Sequence, residues 1–304
     1  DMFFVISGYL IAMAYNANSN KHTSIEFLIR RARRILPAYL VTLLLTLIVS
    51  IFLVNPVELA QLKRSSIYSL LMVPEIGFWM IGTYFVQEHF RPLLHFWYLG
   101  VQIQFYIFVP VFIALYRKSS NFLVLITFVS FASCYWMVNV SPNTSFFLSP
   151  FRLWEFLIGF LVAKYTIRER KGRLLTGYSW LGLLSIFVLI VLPMVPFPER
   201  GLLLLAPRLL ASVAISGVLI FGLPKTIESS SIGSALVSLG KYSYSLYLAH
   251  FPIIILYFHK PFNGNEFDLI TPTDIFVLLF LIGISSVLLY HLVESPFRKM
   301  PKKN

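Results

Sequence analysis

The chain has 304 residues, of which 58% are hydrophobic and 12% are charged. Soluble domains carry about 25% charged residues, so this composition excludes a soluble globular protein and indicates a polytopic membrane protein. A net charge of +12 would suggest a nucleic-acid partner in a soluble protein, but the placement of the basic residues accounts for it below. The single cysteine, Cys134, excludes an intrachain disulfide and a cysteine-rich metal site.

Apolar segments recur along the whole chain, and a helix needs about 20 such residues to cross a bilayer. The predicted fold class is therefore all-α, a polytopic transmembrane helix bundle that forms a single domain over residues 1–304. We predict nine spans, at 1–15, 36–54, 95–116, 121–139, 150–165, 178–196, 207–222, 242–259 and 273–293.

Residues 55–94 are the longest stretch with a hydrophilic bias. They are predicted to form an external loop, which either covers a site or is passive. Within this stretch, the apolar residues 66–82 contain Pro74 and Glu75 and are predicted to be re-entrant or interfacial.

The basic residues are unevenly distributed between the loops. Of 25 Lys and Arg residues, 18 lie in alternate connecting segments, namely 16–35, 117–120, 164–177, 223–241 and 294–304. Cytoplasmic loops are enriched in Lys and Arg, so the C-terminus is predicted to be cytoplasmic and Asp1 to be outside. Because an apolar run that starts outside without a leader is difficult to insert, we expect one further span before Asp1.

An arginine-rich segment, FLIRRARRILPAYL at residues 27–40, precedes the second span. Arg30 and Arg34 would share one helix face, with Arg31 beside them. Guanidinium groups bind phosphates in bidentate fashion. The segment therefore either anchors the chain to the membrane surface or binds a phosphorylated ligand, such as a nucleotide-bearing acyl donor.

Polar side chains also interrupt the apolar segments, where ionisable groups commonly mark function or a pairing partner. His95, Gln102 and Tyr106 recur at helical spacing in PLLHFWYLGVQIQFYIFVP, residues 92–110. They indicate either an interhelical hydrogen bond or a site inside the bundle. Arg152 and Glu155 are three residues apart, which permits an ion pair within one helix.

Two further groups lie near the C-terminus. Ser243, Tyr247 and His250 fall on one helical face of residues 240–258, where His250 is either structural or a general base. Glu294, beside Pro296 and Arg298, is interpreted as part of a helix end with a local ion pair. The sequence contains no phosphate-binding glycine loop, HExxH, GxSxG or CxxC motif, and no metal site is predicted.

Six blocks, in this order, resemble the acyltransferase 3 family of membrane acyltransferases. They are FFVISGYLI (3–11), the FxxRRxxRIxP pattern at residues 27–37, HFWYLGVQIQFY (95–106), RLWEFLIG (152–159), GKYSYSLYLAHFP (240–252) and VESPFR (293–298). The resemblance covers essentially the whole chain. It implies transfer of an acyl group, usually acetyl from acetyl-CoA, to an extracytoplasmic carbohydrate in the bacterial cell envelope, and so a location in the inner membrane.

The resemblance also implies roles for individual residues. Arg30, Arg31 and Arg34 would hold the phosphates of the acyl-CoA co-substrate, and no permanently bound cofactor is expected. The family's catalytic histidine would precede Asp1, with Gln102, Glu155 and His250 in supporting roles. The cavity that receives the substrate would be lined by His95, Tyr106, Arg152, Ser243 and Tyr244. Gln102 departs from the family pattern, which has Glu there, and Gln cannot act as a base or counter-ion.

Three functions therefore remain open at this stage. The first is an O-acetyltransferase whose partners are the lipid bilayer, acyl-CoA and a carbohydrate acceptor. The second is a transporter of a small molecule or lipid-linked sugar, for which an inverted repeat would be expected. The third is a non-catalytic relative that binds acyl-CoA.

Overall fold

The computed structural model describes residues 1–17, 24–81, 90–170, 178–195, 205–222, 230–260, 264–265 and 271–299. Within these ranges the chain is helical except for turns and one two-residue antiparallel pair, in which His259 faces Asn265. The all-α fold class is thus confirmed. Parts of four basic segments, at residues 18–23, 171–177, 223–229 and 300–304, lie outside the described residues.

The helices vary in length from one turn to thirty residues. Their bounds are α1 Met2–Ala17, α2 Ser24–Leu53, α3 Pro56–Leu70, α4 Pro74–Ile81, α5 Trp97–Lys118, α6 Ser120–Val140, α7 Pro142–Phe147, α8 Leu153–Arg170, α9 Ser179–Val191, α10 Ala206–Phe221, α11 Ser231–Tyr257, α12 Pro272–Leu289 and α13 Ser295–Lys299. A π-helical turn, Tyr290–Glu294, joins α12 to α13. Short 3₁₀ turns cover Leu94–Phe96, Ser149–Phe151 and Leu192–Met194.

Among the described residues, four helices are long and apolar enough to cross a membrane: Glu26–Leu53, Leu94–Lys118, Asn121–Val140 and Pro272–Arg298. Shorter apolar helices cover Met2–Ala14, Ser179–Met194 and Ala206–Phe221. Large apolar side chains on the long helices are exposed, for example Phe52 at 81% and Phe276 at 72%. Such surfaces suit contact with lipid. The predicted total of nine spans stays a prediction.

Residues 55–94, predicted to connect two spans outside the membrane, contain the helices α3 and α4 rather than an irregular loop. Asn55 and Glu58 form a capping box, and Pro56 occupies the first turn, so α3 begins here despite its low hydropathy. Met72 has a positive φ of 61°, which separates α3 from α4. Residues 82–89 lie outside the described part of the chain. Hydropathy alone does not reveal α3, because a capped helix can be polar on one side.

Two helices also begin well before the predicted spans. α2 starts at Ser24, so the arginine-rich segment is helical and Pro37 lies inside the helix rather than before it. α11 starts at Ser231 and likewise contains Pro252. Each helix therefore begins with polar turns that precede its apolar stretch. A hydropathy criterion does not detect such turns.

The chain divides into two compact units, which are described separately. Unit 1 comprises Asp1–Ser24 and Gln104–Ser234, and unit 2 comprises Ile25–Ile103 and Ala235–Asn304. In unit 1, α1 packs along α8, and this packing is close because Gly8 and Gly159 carry no side chains where the two backbones meet. In unit 2, the Tyr39 ring packs on Phe96 at 4.3 Å between centroids, and its hydroxyl donates to the Ser69 carbonyl.

Candidate functional site

The predicted donor-binding arginines lie near the start of α2, and their side chains have different surroundings. Arg30 is paired with Glu26 on its own helix at 3.7 Å, and both side chains are exposed. The Arg31 guanidinium lies over the Phe27 ring, 5.4 Å from its centroid. Arg34 is only partly exposed.

Tyr244 and Ser245, which are consecutive on α11, form hydrogen bonds with two other elements of unit 2. The Tyr244 hydroxyl donates to the backbone carbonyl of Ile35, next to Arg34, at 2.8 Å. The Ser245 hydroxyl donates to Oε2 of Glu294, also at 2.8 Å. Ser245 and Glu294 are both buried. The turn of α2 that carries Arg34 and the π turn that carries Glu294 are thus both bonded to α11.

Sequence analysis placed Arg34 and Tyr244 among the site residues, interpreted Glu294 only as part of a helix end, and missed Ser245. The chain does not end its helix at Glu294, because α13 continues to Lys299. The abundance of hydroxyl groups in YSYS (242–245) was the available signal for an interhelical contact.

A second cluster in unit 2 contains two histidines. His95 Nε2 lies 3.2 Å from the Leu248 carbonyl, and the His95 and His250 rings are 5.6 Å apart. His250 Nδ1 lies 2.6 Å from the Tyr247 carbonyl. A carbonyl only accepts hydrogen bonds, so the proton of neutral His250 belongs on Nδ1 and its Nε2 carries the lone pair. This tautomer suits a base or an acceptor.

The predicted polar stripe on α5 is buried. Gln102 and Tyr106 are 8% and 6% exposed, although Gln102 belongs to unit 2 and Tyr106 to unit 1. Ser243 is exposed, and its hydroxyl donates to the Gly240 carbonyl of its own helix. Of the predicted polar face of α11, the structure therefore groups Tyr247 and His250 around His95, whereas Ser243 bonds locally.

Unit 1 contains a buried charge network. Arg152 Nη1 lies 2.9 Å from Glu155 Oε1, which confirms the predicted ion pair, and 2.5 Å from Asp1 Oδ1. Its Nε donates to the Phe146 carbonyl. Sequence analysis missed Asp1 as a partner because 151 residues separate it from Arg152.

Arg208 on α10 lies close to this network. Its Nη1 donates to the Ser145 carbonyl at 3.2 Å and contacts Cys134 Sγ at 3.8 Å. The guanidinium groups of Arg152 and Arg208 lie 4.8 Å and 5.3 Å from the Phe146 ring centroid. Sequence analysis did not single out Arg208, although a lone arginine in an apolar run is itself a signal. Cys134 is buried and belongs to a hydrophobic cluster with Val138, Trp154 and Leu205.

A metal centre has no obvious ligands in the described ranges. There, no three His, Cys, Asp or Glu side chains are grouped so that they could hold an ion. Glu155 instead pairs with Arg152, and Glu294 accepts a hydrogen bond from Ser245.

The comparisons with known proteins identify the class. A family model described as an acyltransferase domain matches residues 1–291, so the chain belongs to the acyltransferase 3 family. It is similar to the O-acetyltransferase OatA of Staphylococcus aureus strains NCTC 8325 and COL, with 26% identity over 98% of this chain. A further protein of strain COL, SACOL0978, is 28% identical over 98% of this chain.

The chain spans 52% of the length of each of these relatives. No solved structure matches the chain significantly. The family match and the apolar helices together indicate a membrane protein of the acyltransferase class.

Proposed function

We propose that this protein is a membrane O-acetyltransferase that moves an acetyl group from cytoplasmic acetyl-CoA to a hydroxyl of an extracytoplasmic carbohydrate. The observation that carries the proposal is the family match over residues 1–291, together with arginines in the block that the family pattern associates with the donor. The proposed location is the bacterial inner membrane with the C-terminus in the cytoplasm, because the basic segments alternate along the chain.

The proposed donor site is the arginine-bearing start of α2. Acyl-CoA carries several phosphate groups, and arginine binds phosphate through two parallel N–H···O bonds. Arg30 and Arg31 have local partners that a phosphate would have to share or displace. Arg34 precedes Ile35, whose backbone carbonyl accepts a hydrogen bond from Tyr244 of α11.

The proposed chemistry is acyl transfer with general-base assistance. The acceptor hydroxyl oxygen forms a bond to the thioester carbonyl carbon, and the bond from that carbon to the CoA sulfur breaks. A base takes the hydroxyl proton, which ends on the CoA thiolate. By family resemblance the base is a histidine before Asp1. His250, whose Nε2 carries the lone pair, and Glu155 are proposed as supporting groups within this chain.

The test uses the full-length protein in inside-out membrane vesicles with acetyl-CoA labelled in the acetyl group. We expect labelled acetyl groups in the carbohydrate fraction, and we expect Arg34→Ala to raise the KM for acetyl-CoA at least about tenfold. Lys118→Ala, at the exposed end of α5, is the control. Absence of labelled carbohydrate from vesicles that contain the folded wild-type protein would overturn the proposal.

A second candidate function has one observation in its favour. Gln102 stands where the family pattern has Glu, and an amide cannot accept a proton from a substrate or balance a buried positive charge. We therefore also propose a non-catalytic protein that binds acyl-CoA. Binding of labelled CoA to the purified protein without transfer or hydrolysis of acetyl-CoA would favour this alternative.

A further inference from the structure

We propose that the end of α5 and the start of α6 form a binding site for an anionic phospholipid. Lys118 holds the phosphate of this lipid, and an acyl chain lies against Phe122 and Leu125. The inference goes beyond the proposed acetyl transfer and does not depend on it. It gives a ligand to a cleft whose lining residues all belong to unit 1.

The first observation is a cleft of about 390 Å³ between the two helices. Ligand pockets commonly have volumes of about 300 to 1,000 Å³, so the cleft can hold part of a lipid molecule. It is lined by Leu115, Lys118, Ser119, Asn121, Phe122 and Leu125. The Phe122 and Leu125 side chains are 47% and 53% exposed. The cleft is therefore open to its surroundings, and a lipid can enter it from the bilayer.

The second observation is the order of polar and apolar residues along the cleft. α5 and α6 are both long and apolar enough to cross a membrane, and Ser119 lies between them. The residues next to Ser119 are thus placed at the membrane surface. With a helical rise of 1.5 Å per residue, Leu115 lies about 4.5 Å deeper than Lys118, and Leu125 about 6 Å deeper than Asn121. A phospholipid has the same order, with its charged phosphate above its apolar chains.

The third observation is the sign of the charge at this end of α5. Arg117 and Lys118 lie in its last turn. The Nζ atom of Lys164, on α8, lies 5.3 Å from the ring centroid of Tyr116, which brings a third cation to the same end. The sequence has no Asp or Glu between residues 89 and 154, so neither α5 nor α6 carries a carboxylate. Basic pockets between transmembrane helices bind anionic lipid headgroups, and this cleft has the matching charge.

Lys118 is suited to hold a phosphate at this depth. Its side chain is exposed, and a lysine can lay its methylene groups on apolar surface while its ammonium group stays at the membrane surface. Asn121, on the same rim of the cleft, carries amide N–H groups that can donate to phosphate oxygens. A water-soluble anion would use these donors but would leave Phe122 and Leu125 uncovered. The apolar part of the cleft therefore favours a lipid.

The test uses the delipidated full-length protein in a neutral detergent and measures its thermal unfolding midpoint during titration with lipid. A ligand that binds only the folded state raises this midpoint as its concentration increases. We expect dioleoyl-phosphatidylglycerol, which is anionic, to raise the midpoint by roughly 3 °C or more. Dioleoyl-phosphatidylcholine, which has the same chains but no net charge, should raise it by less than about 1 °C. No rise with phosphatidylglycerol, or the same rise with both lipids, would overturn the inference.

Two charge reversals locate the site. Lys118→Glu should reduce the response to phosphatidylglycerol to the level of phosphatidylcholine. Lys241→Glu makes the same change in net charge at an exposed position of α11, and it should keep the wild-type response. Equal losses in the two variants would mean that only the overall charge of the protein attracts the lipid, and that result would overturn the inference.

The apolar part of the cleft needs a variant of its own. Leu125→Trp fills this part without changing the charge, and it alters a side chain that is exposed rather than packed in the core. It should lose most of the response to phosphatidylglycerol, which keeps the inference testable if Lys118→Glu does not fold. A wild-type response of Leu125→Trp would overturn the inference. An equal rise with glycerophosphoglycerol, the same headgroup without chains, would also overturn it, because the site would then bind a soluble anion.

These outcomes are independent of the proposed function. The phospholipid is not a reactant in acetyl transfer, so Lys118→Ala should keep the wild-type KM for acetyl-CoA. Failure of the protein to transfer acetyl groups would leave the lipid site intact. Failure of the lipid titration would in turn leave the acetyltransferase proposal intact.

Discussion

Arg152 and Glu155 form an ion pair with 2.9 Å between Nη1 and Oε1, and their side chains are 1% and 0% exposed. Removing one partner of a buried pair typically costs about 3 to 5 kcal/mol, and the lower end of this range applies here because Asp1 also contacts Arg152 Nη1 and still balances part of its charge. We therefore expect Glu155→Gln to lower the stability of the protein by about 3 kcal/mol. The measurement is the thermal unfolding midpoint of the purified protein in detergent.

The exposed pair of Arg30 and Glu26 provides the matched control. Glu26→Gln should change the stability by less than about 1 kcal/mol, since exposed pairs contribute little. If the two Glu→Gln variants melted at the same temperature, the buried pair would not be a stabilising element.

Arg208 offers a second stability test. Its guanidinium donates to the Ser145 carbonyl, and its charge lies near those of Arg152 and Glu155. Replacing it with Ala leaves a buried carbonyl without this donor, at a cost of about 1 to 3 kcal/mol. We expect Arg208→Ala to lower the melting temperature clearly. Lys118→Ala, at the exposed end of α5, should leave the melting temperature unchanged. An Arg208→Ala variant as stable as the wild type would contradict this account.

The contact between α1 and α8 depends on glycine. A Cβ added at Gly8 would lie 2.0 Å from the Phe156 carbonyl oxygen, a backbone atom that cannot move aside alone. Overpacking of this kind costs about 1 to 3 kcal/mol, so Gly8→Ala should destabilise the protein. Unfolding of the purified variant in detergent measures the effect.

Gly283, inside α12, is the matched control. An added Cβ there meets no described atom within 4 Å. Because Ala is favoured over Gly in a helix interior by about 1 kcal/mol, Gly283→Ala should be neutral or stabilising. Equal losses of stability in both variants would refute the close-packing explanation.

Tyr244 tests the link between α11 and α2. Tyr244→Phe removes the hydrogen bond to Ile35 and should cost about 1 kcal/mol. It should also raise the KM for acetyl-CoA in the vesicle assay, because Arg34 lies in the turn of α2 that this hydrogen bond holds. Tyr242→Phe removes a contact to His291 that is exposed, and it should change neither value. A reversed ranking of the two variants would contradict the arrangement.

Gln102 tests the departure from the family pattern. If a carboxylate at this position assists catalysis, Gln102→Glu should raise the rate of acetyl transfer by roughly tenfold or more, within the range of general acid–base effects. The assay is incorporation of labelled acetyl groups into carbohydrate. Gln102→Ala controls for loss of the side chain. A slower Gln102→Glu variant would indicate that the amide is the functional group here.

The sequence by itself determined the features that depend on composition and local spacing. The low proportion of charged residues predicted a membrane protein with an all-α fold. The six ordered blocks predicted the family that the comparison then showed. The Arg152–Glu155 pair was also predictable, because side chains three residues apart meet across one helical turn, and Arg152 directly precedes α8. None of these inferences requires knowledge of which helices pack together.

Only the tertiary structure decided the partners that are distant along the chain. Asp1 meets Arg152 across 151 residues, and Ser245 meets Glu294 across 49. Hydropathy could not predict these pairings, because it records how apolar a segment is and not which faces meet. The π turn was likewise invisible in YHLVE (290–294), since it depends on the hydrogen bonds that the folded backbone selects. The physical reason is the same throughout: local spacing is set by helix geometry, whereas long-range contacts are set by packing.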